Sequence, residues 1–172
     1  CVNRRSVLQT IGTGMVVAGS GCLGGGGEVI VSVQQDVTVD PGTAWMEKEI
    51  PDLSDSGGAI EYIVRAEQAF DVYFFSDESA FEQYNAYIQG DDPAAAPPGN
   101  SDFSRAAVQR EGDGMYEATT DNDGNRQSVE SAGPYYFAVD HSSYRMENRV
   151  EKFDEPLQAF VDLKVIRKRS LI

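Results

Sequence analysis

The chain has 172 residues, 41% hydrophobic and 24% charged, a length and balance that fit one folded domain and exclude a disordered one. Twenty-eight acids against 14 Lys plus Arg give a formal net charge of -14. Such a surface repels nucleic acid, whose binding needs basic side chains to displace counterions. Two cysteines, Cys1 and Cys22, and the single His141 leave no disulfide framework and no His or Cys metal cluster, and no cofactor is expected.

The first 21 residues have the form of an export signal. Arg4 and Arg5 precede a short apolar stretch from Ile11 to Ala18, which Gly12 and Gly14 dilute. That stretch is shorter than the ~20 apolar residues a membrane span needs. Ala18-Gly19-Ser20-Gly21 then lead directly to Cys22, and Gly24 to Gly27 form a flexible tether within residues 22–28. A helix that continues into the domain, with Cys22 a small core residue, is at odds with four consecutive glycines. Paired arginines, a weakly apolar middle and small residues before a cleavage point are the features of a twin-arginine export signal.

The run Arg4-Arg5-Ser6-Val7-Leu8-Gln9, taken with Ser20-Gly21-Cys22-Leu23-Gly24, resembles the N-terminus of haloarchaeal twin-arginine lipoproteins. Val7 stands where that family often has Phe, and Gly19 where it usually has Leu. The resemblance implies export through Arg4 and Arg5, cleavage before Cys22, and a lipid on Cys22 that holds the chain on the extracytoplasmic face of the cell membrane. The membrane is then the first partner, and a surface or membrane protein is a second. A two-chain lipid satisfies the need for more than one acyl group in stable anchoring.

Residues 1–21 carry no acid, so the remaining chain holds 12 bases against 28 acids, and only four bases are Lys. Acid excess with scarce Lys keeps a protein hydrated in concentrated salt, where screening removes self-repulsion. A halophilic source is the expectation, with an ordinary acidic surface as the alternative.

From residue 29 to 166 the dominant period is two, which predicts strands. Val29, Val31, Val33, Val37 and Val39 alternate up to the turn Asp40-Pro41-Gly42. Further strands are expected at Trp45 to Ile50, Ile60 to Ala66, Phe70 to Phe75, Tyr116 to Thr120, Gln127 to Val129, Tyr135 to Val139 and Leu157 to Ile166. Asp121-Asn122-Asp123-Gly124-Asn125 predicts a hairpin turn between its flanking strands. Ser79 to Gln89 has helical spacing in Phe81, Tyr84 and Ile88, and a Pro-rich loop follows from Asp91 to Asp102. The prediction is a mainly β fold: one antiparallel sandwich of about eight strands with one short helix, ending in a basic tail at residues 167–172. Phe70 to Asp77 resembles a segment of haloarchaeal secreted sandwich domains. Gly133-Pro134-Tyr135-Tyr136-Phe137-Ala138-Val139-Asp140 resembles a strand of GOLD-type, emp24-like sandwiches. The latter implies protein recognition rather than catalysis.

His141 between Asp140 and Ser142 invites a Ser-His-Asp reading, but neighbours along a strand point apart and no Gly-x-Ser-x-Gly elbow exists. A solvated or turn-capping histidine is expected instead. Asp121 and Asp123 offer oxygen ligands for calcium, without the downstream Glu of an EF-hand loop. No pair among the 28 acids is marked for hydrolysis by its sequence neighbours. In the Phe70–Phe75 and Tyr135–Phe137 runs both strand faces carry rings. One face is core, and the other directs rings such as Tyr73, Tyr135 and Tyr136 toward solvent, a second layer or a partner. The functional expectation is a non-enzymatic binding module at the cell surface. The alternatives are carbohydrate or small-solute binding through exposed tyrosines, and a carboxylate hydrolase.

Overall fold

A computed structural model describes residues 27–90, 103–120, 127–142, 144 and 154–169. Arg4, Arg5, Cys22, the Pro-rich loop, Asp121 and Asp123 lie outside the described residues.

Two antiparallel sheets face each other, as the alternation predicts. The first holds β1 (Gly27–Val39), β10 (Leu157–Lys168), β3 (Gly58–Ala66), β7 (Tyr116–Thr119) and β6 (Val108–Gln109) in that order, with β8 (Gln127–Val129) also on β3. The second is β2 (Thr43–Ile50), β9 (Tyr135–His141), β4 (Asp71–Phe75) and β5 (Arg105–Ala106). Between them Val33, Val37 and Val39 of β1, Ile60, Tyr62 and Val64 of β3, and Leu157 to Val165 of β10 meet Val72, Phe74, Phe137 and Val139. β10 buries every second residue from Leu157, because the other face is solvated by Gln158, Asp162 and Lys164.

Four details depart from the sequence expectation. Ile30 is buried beside Val31, because the β1–β10 register shifts between Val29 and Val31 and inserts one residue. The strands number ten among the described residues. The extra two, β5 and β6, are two residues each, too short for a period, and the chain passes between the sheets at Ala107, whose N–H donates to the Phe70 carbonyl. β7 and β8 do not form the expected hairpin. Both lie antiparallel to β3, Ile63 opposite Thr119 and Ile60 opposite Gln127, so they run in the same direction along one edge. A hairpin reverses the chain, and a longer neighbour with two free stretches of edge offers the better pairing. Finally, the basic cluster is not wholly a tail: Arg167 and Lys168 complete β10, opposite Glu28 and Gly27.

One helix, α1 (Glu78–Ile88), lies on the outer face of the second sheet. Asp77 caps it by accepting from the Ala80 N–H at 2.9 Å, and Glu78 in its first turn complements the helix dipole. Among the described residues no helix is long and apolar enough to cross a membrane.

Glycine matters most at Gly57, where φ is +75° and a Cβ would lie 2.1 Å from the Val129 carbonyl oxygen. Its carbonyl accepts from the Lys168 N–H, so one pinched residue joins the ends of β10, β3 and β8. Glu28, Arg167, Gly58 and Val129 form a single cross-strand row at this end of the sandwich.

Candidate functional site

Among the described residues, two places bring polar and aromatic chemistry together. The first is the layer between α1 and the second sheet. Period two puts Asp71, Tyr73 and Phe75 of β4 on the outer face, paired with Asp140, Ala138 and Tyr136 of β9. Phe81 and Tyr84 of α1 cover them, and Tyr144 closes the layer. Tyr73 and Tyr144 meet edge to face at 5.2 Å, and Phe81 stacks on Tyr136 at 4.1 Å.

Into this aromatic layer the fold places a carboxylate. Asp140 is 2% exposed. It accepts from the Tyr84 hydroxyl at 2.5 Å and from the Ser142 N–H and hydroxyl at about 3 Å. Desolvation outweighs these donors and raises its pKa to about 6. Burial, and then the Asp140 charge, push the Tyr84 phenol well above its usual value. Asp71, also buried, is the direct cross-strand neighbour of Asp140. The sequence could not mark this pair, because the two acids lie 69 positions apart and only the β4–β9 register unites them. They are opposed within a covered layer rather than across a pocket, so the hydrolase reading gains no substrate space from them.

The Tyr84 hydroxyl supports Asp140 most when the carboxylate is charged. Tyr84→Phe is therefore expected to lower stability by about 2 kcal/mol at pH 8 and by clearly less at pH 4, where Asp140 is protonated. Urea unfolding at both pH values checks this, and an equal loss at each would remove the Tyr84–Asp140 bond from the account.

The expected site residues fall differently. Tyr73 and Tyr135 are 3% and 2% exposed, which corrects their reading as ring surfaces open to a ligand. Tyr73 belongs to the layer under α1, and Tyr135 turns inward to stack on Phe74 at 5.4 Å. Tyr136 alone keeps partial exposure, beneath Phe81. The second layer, not solvent, takes the outer-face rings. His141 is not solvated either: it is 1% exposed, on the inner face, with Nε2 2.7 Å from the Glu155 carbonyl oxygen. Ser142 bonds Asp140 rather than the imidazole, so the three residues form no triad.

The second place is a pocket of about 480 Å³ at the end of the sandwich where β1 begins. Ser76 after β4, Ser128 on β8 and Glu130 and Ser131 after it supply polar groups, and Phe103 and Tyr135 supply rings. The Tyr135 hydroxyl donates to the Ser131 carbonyl at 2.6 Å and meets the Ser131 hydroxyl at 2.6 Å. A Gly133–Pro134 cis peptide lies between these two residues.

The fold and these sites define a small mainly β protein: a two-sheet antiparallel sandwich with a helix-covered aromatic layer and a polar end pocket. Comparison with family models, with curated proteins and with solved structures found no match to the chain.

Proposed function

We propose that the protein is a lipoprotein of a halophile, exported through Arg4 and Arg5, lipidated on Cys22 and held at the extracytoplasmic face of the cell membrane. There it presents its sandwich as a non-enzymatic recognition module for a surface or membrane protein. The observation that carries this reading is the order of the N-terminal residues: paired arginines, a short apolar run, small residues, Cys22 and four glycines. The fold is compatible with it, since β1 takes up the chain at Gly27, the last glycine of the tether. The acid excess suits a surface exposed to concentrated salt.

Crosslinking and affinity purification of the tagged protein from intact cells in native salt test this, with mass spectrometry of its N-terminus. The expected result is a lipidated Cys22 as first residue, one recurrent envelope protein in the crosslinks, and release of Cys22→Ser into the medium. An unmodified N-terminus upstream of Cys22 would end the anchor reading. A lipidated chain with no recurrent protein would end the protein-recognition half.

A further inference from the structure

The end pocket has a chemistry and a position that the recognition reading does not use. Its floor is rigid: the Tyr135 and Phe103 rings pack on Phe74 at 5.4 and 5.2 Å, and the Tyr135 phenol is tied back to Ser131. Among the described residues its lining is uncharged apart from Glu130, and carries the hydroxyls of Ser76, Ser128 and Ser131 and the amide of Gln127. A single carboxylate among hydroxyls disfavours anions and accepts from hydroxyl donors. The volume lies in the range of small-ligand sites, which combine an apolar base with a few placed polar groups. A hydroxyl-rich neutral molecule with one apolar face meets both requirements.

We propose that this pocket binds a glycosyl group, with its hydroxyls on Ser128, Ser131 and Glu130 above the buried Phe103 and Tyr135 rings, whose edges close the base of the pocket rather than offering a stacking face. Its position suggests where the sugar comes from. Val129 in the pocket wall shares a cross-strand row with Glu28, three strands away, roughly 14 Å. Glu28 lies six positions after Cys22, a reach of roughly 20 Å at full extension. The pocket therefore lies within reach of the surface on which a Cys22 lipid would insert, and this placement rests on the anchor proposed above. The chemistry of the pocket does not. A glycolipid headgroup and a free saccharide share that chemistry.

Saturation-transfer NMR and calorimetry on the full chain in native salt, with the methyl glycosides of glucose, mannose and galactose, test the chemistry. Vesicles with and without a lipid bearing the preferred sugar separate the two sources. The expected result is weak binding of at least one glycoside, reduced about tenfold by Ser128→Trp, which fills the rim, and clearly weakened by Glu130→Ala. Both positions are exposed, so unfolding midpoints near that of the parent are expected to show that the variants fold. Preference for the decorated vesicles assigns a headgroup, and equal binding of the free sugar assigns a solute. No binding of any glycoside in either form, or binding untouched by both substitutions, overturns the proposal. Sugar binding that persists in a chain shown to lack the Cys22 lipid removes only the anchor.

Discussion

Phe137→Ala is expected to cost about 3–5 kcal/mol, a large part of the roughly 5–15 kcal/mol that holds a domain of this size. Phe137 is fully buried on the inner face of β9, the central strand of the second sheet. Its ring meets Tyr62 of the first sheet edge to face at 5.1 Å and Trp45 of β2 at 6.4 Å. Truncation therefore removes apolar burial, leaves a cavity, and breaks two aromatic contacts, one of which joins the sheets. Tyr62 is poorly placed to relax into the space, because its hydroxyl donates to the Phe103 carbonyl at 2.6 Å. Trp45 is the only tryptophan and touches Phe137, so its fluorescence in a urea titration reports the loss directly. Val108→Ala is the control: Val108 is 71% exposed on β6, and its truncation is expected to change stability by no more than about 0.5 kcal/mol. Similar losses from the two substitutions would mean that the sheets do not pack through Phe137.

The second expectation concerns pH. Asp140 is raised from 3.8 to about 6, first by desolvation. A carboxyl whose folded pKa exceeds its unfolded value holds its proton more tightly when folded. Between these two values the native state binds more protons than the unfolded state, so stability falls as pH rises. The group's contribution is most favourable below pH 3.8, is lost progressively toward pH 6, and is level above that. Two pKa units correspond to about 3 kcal/mol. Asp140→Asn removes the titrating proton while keeping an acceptor for Ser142, so its stability is expected to lack this slope. Tyr84, His141 and the cross-strand Asp71 neighbour the group in both proteins, and the difference between the two pH profiles isolates Asp140. Thermal or urea unfolding from pH 4 to 8 at fixed ionic strength is the measurement. Parallel profiles would show that Asp140 titrates as it does in the unfolded chain.

Much of the architecture was legible in the sequence because strand periodicity is local. The alternation in Leu157 to Val165, the turn at Asp40-Pro41-Gly42 and the helix over Phe81 and Tyr84 each follow from residues a few places apart, and each stands in the structure. The direct pairing of β7 with β8, expected from the turn signal at Asp121 to Asn125, is replaced by pairing of both strands with β3, while the turn residues lie outside the described ones. The turn signal is local, but the choice of partner for β7 and β8 belongs to β3, more than 50 residues earlier.

The aromatic faces show the same division. Alternation in β4 and β9 establishes that rings project both ways, but not what meets the outer set. Once α1 covers that face, Tyr73 becomes interior and Asp140 becomes a carboxylate with a raised pKa. The end pocket is likewise invisible along the chain, since Ser76, Phe103 and Glu130 converge only when the sheets close.

Composition, charge, the order of residues around Cys22 and the positions of most strands and of the helix are properties of short stretches, so the chain alone suffices to read them. Which acid is buried, which tyrosines reach solvent and which hydroxyls share a pocket depend on contacts between residues tens of positions apart. Desolvation and pairing are set by those contacts, and they exist only in the folded sandwich.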